Sequence, residues 1–127
     1  MYQALRPTIP WIGKDNWMTF GDGRYGLDAI RLNQLFGIDA TATDLCPTLL
    51  EDSCNRGLLK TWRVENTEKI SLSDNSVKVS FAKESLHHCA RPLAALYEMI
   101  RVSSDAVVVI EPADPEGWPR LDWPLRQ

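Results

Sequence analysis

Gly21, Gly23 and Gly26 stand at G-x-G-x-x-G spacing directly after the short apolar run Trp17-Met18-Thr19-Phe20, and Asp44 follows Gly26 by 18 residues. Glycines in such a turn let a backbone approach a ligand closely, and the helix that follows offers N–H groups without partners. An acid closing a second apolar run, Ile38 to Thr43, can accept two hydrogen bonds from a ribose diol. The chemistry expected is the holding of a nucleoside-bearing cofactor. A structural strand-to-helix turn beside a solvated Asp44 is the plainer alternative.

A second constellation is His87-His88. Adjacent imidazoles invite a metal or general-base reading, but no third ligand lies nearby in the sequence, so no metal site is expected. Capping or packing is the simpler role for one of the pair.

These residues need a scaffold. Trp17 to Phe20 reads as a buried strand, and the turn opens a helix from Leu27 to Phe36, stopped by Gly37. In that helix Leu27, Ile30 and Leu35 are expected to face inward, with Leu32 and Phe36 at the margins. Ile38 to Thr43 is the second strand, and a helix from Pro47 to Gly57 follows. Leu59 to Val64 is a candidate third strand, interrupted by Lys60 and Arg63. Asp74-Asn75-Ser76 signals a turn. Val77 to Ala82 alternates as a fourth strand, and a helix from Pro92 to Val102 places Leu93, Leu96, Tyr97 and Ile100 on one face. Ala106 to Ile110 is uniformly apolar, the pattern of a strand buried on both faces of a parallel sheet.

Strands alternating with helices predict an α/β fold: a doubly wound, mostly parallel, Rossmann-like sheet of five strands with helices on both faces. Residues 1–16, with Pro7, Pro10 and Gly13, read as an irregular lead-in, 17–112 as the cofactor-binding domain, and 113–127 as a tail rich in proline and tryptophan.

At 127 residues the chain is one domain. Its formal net charge of −3 argues against a nucleic-acid binder, which usually carries a basic face. No apolar run approaches the ~20 residues of a membrane span, and the N-terminus lacks the apolar stretch of a signal peptide. Cys46, Cys54 and Cys89 are odd in number without C-x-x-C spacing, which fits reduced thiols in a cytoplasmic protein.

Which nucleoside cofactor is expected depends on the second half of the chain. A dinucleotide needs a helix N-terminus aimed at a pyrophosphate, whereas S-adenosylmethionine has no phosphate and needs room for a methionyl tail. The stretch from Glu68 to Val79, then Ser85-Leu86-His87-His88, then Leu96-Tyr97-Glu98-Met99-Ile100-Arg101-Val102 resembles the class I S-adenosylmethionine-dependent methyltransferases. It is most similar to the branch whose motifs read D-A-E-x-L-P-F-x-D-x-S-F-D, then L-H-H, then E-M-x-R-V. The similarity covers residues 17–112.

The resemblance implies a strand order 3-2-1-4-5 and methyl transfer from S-adenosylmethionine to an unidentified small-molecule acceptor. It implies that Gly21, Asp22, Gly23 and Gly26 wrap the methionyl part, Asp44 holds the ribose hydroxyls and Leu45 lies beside the adenine. Asn66 takes the place of the acid that reads the adenine amino group, with Thr67 after it. Lys83 lies where the family's backbone meets the methionyl ammonium, and His87 and His88 begin the segment that faces the acceptor. No catalytic residue is implied, because alignment supplies most of the rate. Thr19 stands where many members have an acid near the ammonium, and Asp22 is the nearest substitute. Tyr25, Ser71 and Lys78 also depart from the pattern.

The family's sheet has seven strands ordered 3-2-1-4-5-7-6, and five are legible here. The strand 106–110 is thereby left as an edge, covered by the Trp118–Leu125 tail, by a second copy, or by further chain of a longer protein. The alternative function is a non-catalytic cofactor-binding module that acts through a partner.

Overall fold

The computed structural model describes residues 1–112. Five strands form one sheet in the order β3-β2-β1-β4-β5, and the four pairings are all parallel. The elements are α1 (Ile9–Ile12), β1 (Trp17–Phe20), α2 (Leu27–Phe36), β2 (Ala40–Asp44), α3 (Thr48–Asn55), β3 (Trp62–Val64), β4 (Val77–Lys83), α4 (Pro92–Val102) and β5 (Ser103–Ile110). The doubly wound Rossmann-like arrangement expected from the sequence is therefore present, with boundaries shifted by a few residues. β3 is shorter than expected, and Ile38, although buried, precedes β2.

β1 lies at the centre. Trp17 pairs in register with Ala40 and Val79, and Phe20 with Thr43 and Ala82. Lys83 in turn sits opposite Ile110. The C-terminal ends of β1, β2, β4 and β5 thus line one edge of the sheet, where ligands bind in open α/β folds.

Alternation along the strands feeds two cores. Trp17, Ala40, Ala42, Val79 and Phe81 pack with Leu32 and Phe36 of α2 and Leu50 of α3 on one face. Met18, Phe20, Val77 and Ala82 pack with Ala95, Met99 and Val102 of α4 on the other. The lead-in expected to be irregular instead forms a 3-10 turn (Tyr2–Leu5) and α1, and Leu5 and Ile9 close the first core. Burial of these two side chains outweighs the prolines, one of which suits the first turn of α1.

Two helices rotate away from the faces expected. In α2 the inward stripe is Ala29, Leu32 and Phe36, while Leu27 and Leu35 are exposed. In α4, Leu93 (79% exposed), Tyr97 (78%) and Ile100 (54%) face outward, and Ala95, Met99 and Val102 are buried. Each helix has two apolar stripes, and the one with a small alanine lets the helix lie closest to the sheet. Polar contacts fix the phase of α4. Glu98 accepts the Ile70 N–H at 2.8 Å, and Arg101 donates to the Ile70 and Leu72 carbonyls and to Asp74. Glu98 and Arg101 are thus clamps for the loop 70–74, and Met99 and Val102 between them are core.

β5 follows α4 without a connecting loop and stands at the sheet edge. Its apolar residues are only partly buried, against the expectation of a strand covered on both faces. The tail 113–127, with its Trp118 and Trp123, lies outside the described residues. Among those described, no helix is long and apolar enough to cross a membrane.

Candidate functional site

The glycine turn is drawn tightly between neighbouring strand ends. Gly21 has φ +70°, and a Cβ there would lie 2.6 Å from the Cβ of Ser85. Ser85 itself donates its hydroxyl to the Phe20 carbonyl at 3.1 Å. The Asp22 N–H donates to the Thr43 carbonyl at 2.9 Å, which ties the turn to β2. Tyr25, where the resemblance expects a small residue, adopts φ +62° next to Gly26 at +68°.

The Asp22 side chain points inward. Its carboxylate accepts the Thr19 hydroxyl at 2.8 Å and the N–H groups of Asp28 and Ala29, each at 3.0 Å. Those two N–H groups belong to the first turn of α2, so Asp22 caps the helix from outside it. Burial, reinforced by the nearby Asp28, pushes the Asp22 carboxyl up to about 7. Thr19 and Asp22 thereby form one buried unit, and the carboxylate is committed to the helix rather than turned toward a ligand ammonium.

Gly23 and Asp44 meet face to face. A Cβ on Gly23 would lie 2.6 Å from Cγ and Oδ2 of Asp44. Oδ1 of Asp44 accepts the Cys46 N–H at 2.8 Å, which orients the carboxylate at the end of β2. Leu45 beside it is exposed. The Asp44 carbonyl accepts the Glu65 N–H at 3.1 Å, bringing the end of β3 alongside. There Asn66 accepts the Glu68 N–H through Oδ1 at 2.9 Å, an Asx turn that carries the half-buried Thr67. Buried Glu65 bonds Arg63 at 2.7 Å and the Ser71 hydroxyl and N–H at 2.7 and 2.9 Å. Ser71, in place of the family's proline, supplies that N–H.

On the other side of the turn is a cleft of ≈ 720 Å³ lined by Gly21, Asp22, Arg24, Lys83, His87 and His88, among others. The Lys83 ammonium pairs with Glu84 at 2.7 Å. His87 Nδ1 is hydrogen-bonded to a Glu111 oxygen, and the other oxygen of Glu111 accepts the N–H groups of Ser85 (3.2 Å) and Leu86 (2.9 Å). Burial pushes the Glu111 carboxyl up, but the His87 ring and these N–H groups pull it below its ordinary value.

The site residues expected from the sequence therefore fall into two groups along one sheet edge. Gly21, Asp22, Lys83, His87 and His88 share the cleft. Asp44, Leu45, Asn66 and Thr67 follow the ends of β2 and β3, joined to the first group where Gly23 meets Asp44. Gly26 lies behind the turn, where a Cβ would be 2.9 Å from Leu59 and 3.3 Å from Ala42, so it serves helix packing.

Three participants were not expected from the sequence. Tyr2 lines the cleft, with its hydroxyl donating to Asp28 and its ring stacked on Phe81 at 6.3 Å. Nothing in the sequence near Tyr2 signals this. Asp28 reads as an ordinary acid in a first helical turn. Glu111 had one signal: its position directly after the last apolar run, 106–110.

The residues fit a nucleoside with a ribose diol. The missing side chain of Gly23 leaves room for the oriented Asp44 carboxylate, and Oδ2 of Asp44 has no hydrogen-bond donor among the described residues. They fit a pyrophosphate poorly, because the Asp22 carboxylate already occupies the N–H groups such a group would use.

The sequence pattern described as a methyltransferase domain matches residues 19–110. No curated protein sequence matches the chain. Among solved structures, the chain is similar to the YcgJ protein from Bacillus subtilis, with a TM-score of 0.70 at 18% identity over 97% of this chain and 56% of that one. A SAM-dependent methyltransferase from Aquifex aeolicus gives 0.64 at 21% identity, over 88% of this chain and 67% of that one. The cyclase SpnF gives 0.61 at 20% identity, over 80% of this chain and 42% of that one. The chain thus spans between about two-fifths and two-thirds of the length of these three proteins.

Proposed function

The chain belongs to the methyltransferase domain family, and we propose that it directs methyl transfer from S-adenosylmethionine to a small-molecule acceptor held in the cleft. The observation that carries this reading is the apposition of Gly23, in the turn after β1, and Asp44, at the end of β2. It leaves one oriented carboxylate oxygen for a ribose diol. The cap that Asp22 places on α2 favours a phosphate-free nucleoside over a dinucleotide.

In this reading Asp44 orients the ribose, Leu45 flanks the adenine, and Asn66 with Thr67 meets its amino edge. An amide accepts from that amino group and donates to a ring nitrogen. The backbone of Gly21, Asp22 and Gly23 wraps the methionyl part, Gly26 holds the turn against the sheet, and the backbone at Lys83 meets the ammonium. The cofactor supplies a methyl group activated on a sulfonium. Alignment and exclusion of water are what this chain's residues add.

A small acceptor, rather than nucleic acid, fits the net charge of −3. The free thiols of Cys46, Cys54 and Cys89 fit a cytoplasmic protein. Residues 17–112 are read as the methyltransferase-like domain, with 1–16 packed onto it.

One observation favours a second reading, a non-catalytic cofactor-binding module that acts through a partner: the outward apolar face of α4 together with an edge of β5 that no strand pairs among the described residues. A homodimer paired through 106–110 would cover that edge. Likeness of fold does not decide between the readings. Calorimetric titration with S-adenosylmethionine tests the cofactor, and release of S-adenosylhomocysteine in the presence of acceptors separates catalysis from binding alone.

A further inference from the structure

We propose that His87, held by Glu111, is the base that takes the proton from a hydroxyl acceptor in the cleft. The proposal rests on the methyl-transfer reading above and adds the substrate class to it.

The geometry has the parts such a base needs. Glu111 follows β5 and is fixed by the N–H groups of Ser85 and Leu86, so its second oxygen has a defined place. That oxygen engages Nδ1 of His87. With Nδ1–H donated to a carboxylate, Nε2 is the lone-pair nitrogen and is the one that can take a proton. His87 lines the same cleft as Gly21 and Asp22 of the glycine turn. A surface ion pair would need none of this anchoring. Glu111 meets no lysine or arginine among the described residues, and its other two bonds are to the backbone of the turn that carries His87.

The other charged groups of the cleft are already engaged or stand apart. Lys83 pairs with Glu84, and Asp28 bonds Tyr2. Arg24 and Arg31 belong to the turn and helix on the α2 side, and His88 is the neighbour of His87, with ring centroids 4.0 Å apart.

The chemistry selects the acceptor. An amine attacks with its free lone pair and sheds its proton afterwards. A carbon acid generally needs a stronger base than imidazole. A hydroxyl gains most from a base that acts near neutral pH. As the acceptor oxygen bonds to the methyl carbon, the carbon–sulfur bond breaks and its electron pair stays on sulfur. The hydroxyl proton passes to Nε2 of His87 and then to water. Glu111 touches no reacting atom and is a positioning residue.

The probe is 4-nitrophenol, whose anion absorbs visible light, titrated into the chain saturated with S-adenosylhomocysteine. At a pH about one unit below the probe's own ionisation, the phenolate-to-phenol ratio of the bound probe is expected to be about tenfold that of the free probe, the effect of one pKa unit, which raises the ionised fraction from about a tenth to about a half. His87→Asn should abolish the phenolate signal and Glu111→Gln should weaken it, with Glu111→Asp restoring part of it. S-adenosylhomocysteine binding should be unchanged in all three, which also shows that they fold. A wild-type chain that binds S-adenosylhomocysteine but gives no phenolate, or gives it equally in His87→Asn, overturns the proposal alone. A wild-type chain that fails to bind S-adenosylhomocysteine overturns the underlying reading, and this proposal with it.

Discussion

Gly23 is the residue that gives the Asp44 carboxylate its place: a Cβ on Gly23 would lie 2.6 Å from Cγ of Asp44, closer than any such contact can be. Gly23 lies in the turn after β1 and Asp44 ends β2, and the β1–β2 register sets Phe20 opposite Thr43 just before them.

Gly23→Ala should therefore displace the Asp44 carboxylate and weaken S-adenosylhomocysteine binding by about 2 kcal/mol, roughly 30-fold, the scale of a lost charge-assisted hydrogen bond. Calorimetry measures the affinity, and thermal unfolding should show the fold retained.

Asp22 should make stability depend on pH. Its carboxyl is raised to about 7 by burial and by Asp28, so the folded chain holds a proton that the unfolded chain has released above about pH 4. This contribution is full below the unfolded value and is lost as pH rises through about 7. Asp22→Asn stays uncharged. The drop in unfolding free energy from about pH 5 to about pH 8 should shrink in the variant by on the order of 2–3 kcal/mol. Denaturant unfolding at both pH values checks it.

The phase of α4 can be tested directly. Met99→Ala removes a fully buried side chain and should cost about 2–5 kcal/mol. Tyr97→Ser on the outward face should cost less than about 0.5 kcal/mol at low protein concentration. Equal costs would mean that the helix is rotated.

If two copies pair through 106–110, the half-exposed Val109 lies at the seam. Val109→Lys puts a charge on the strand edge and should abolish self-association in sedimentation, because edge lysines oppose strand pairing.

The succession of strands and helices and the glycine turn were legible because periodicity and punctuation are local properties, while the order 3-2-1-4-5 came from the family resemblance. Trp17–Phe20, Gly21–Gly26 and Asp44 could be read one after another. Helix phase was not legible. Leu93, Tyr97 and Ile100 make as good a stripe as Ala95, Met99 and Val102, and the choice rests on Arg101 and Glu98 reaching the loop at 70–74. The cleft was half legible for a similar reason. His87 carried a motif, while its partner Glu111 lies 24 residues away and Tyr2 reaches Asp28 across 26 residues. Such contacts between distant segments follow from packing and leave no pattern in the sequence.

Calorimetric titration of the 127-residue chain with S-adenosylmethionine, S-adenosylhomocysteine and NAD, repeated on Asp44→Ala, tests the central claim most directly. The account predicts binding of both sulfur nucleosides, none of NAD, and an affinity lower by about 2 kcal/mol or more in the variant. A folded chain that binds neither nucleoside, or binds them equally well without the Asp44 carboxylate, would contradict it.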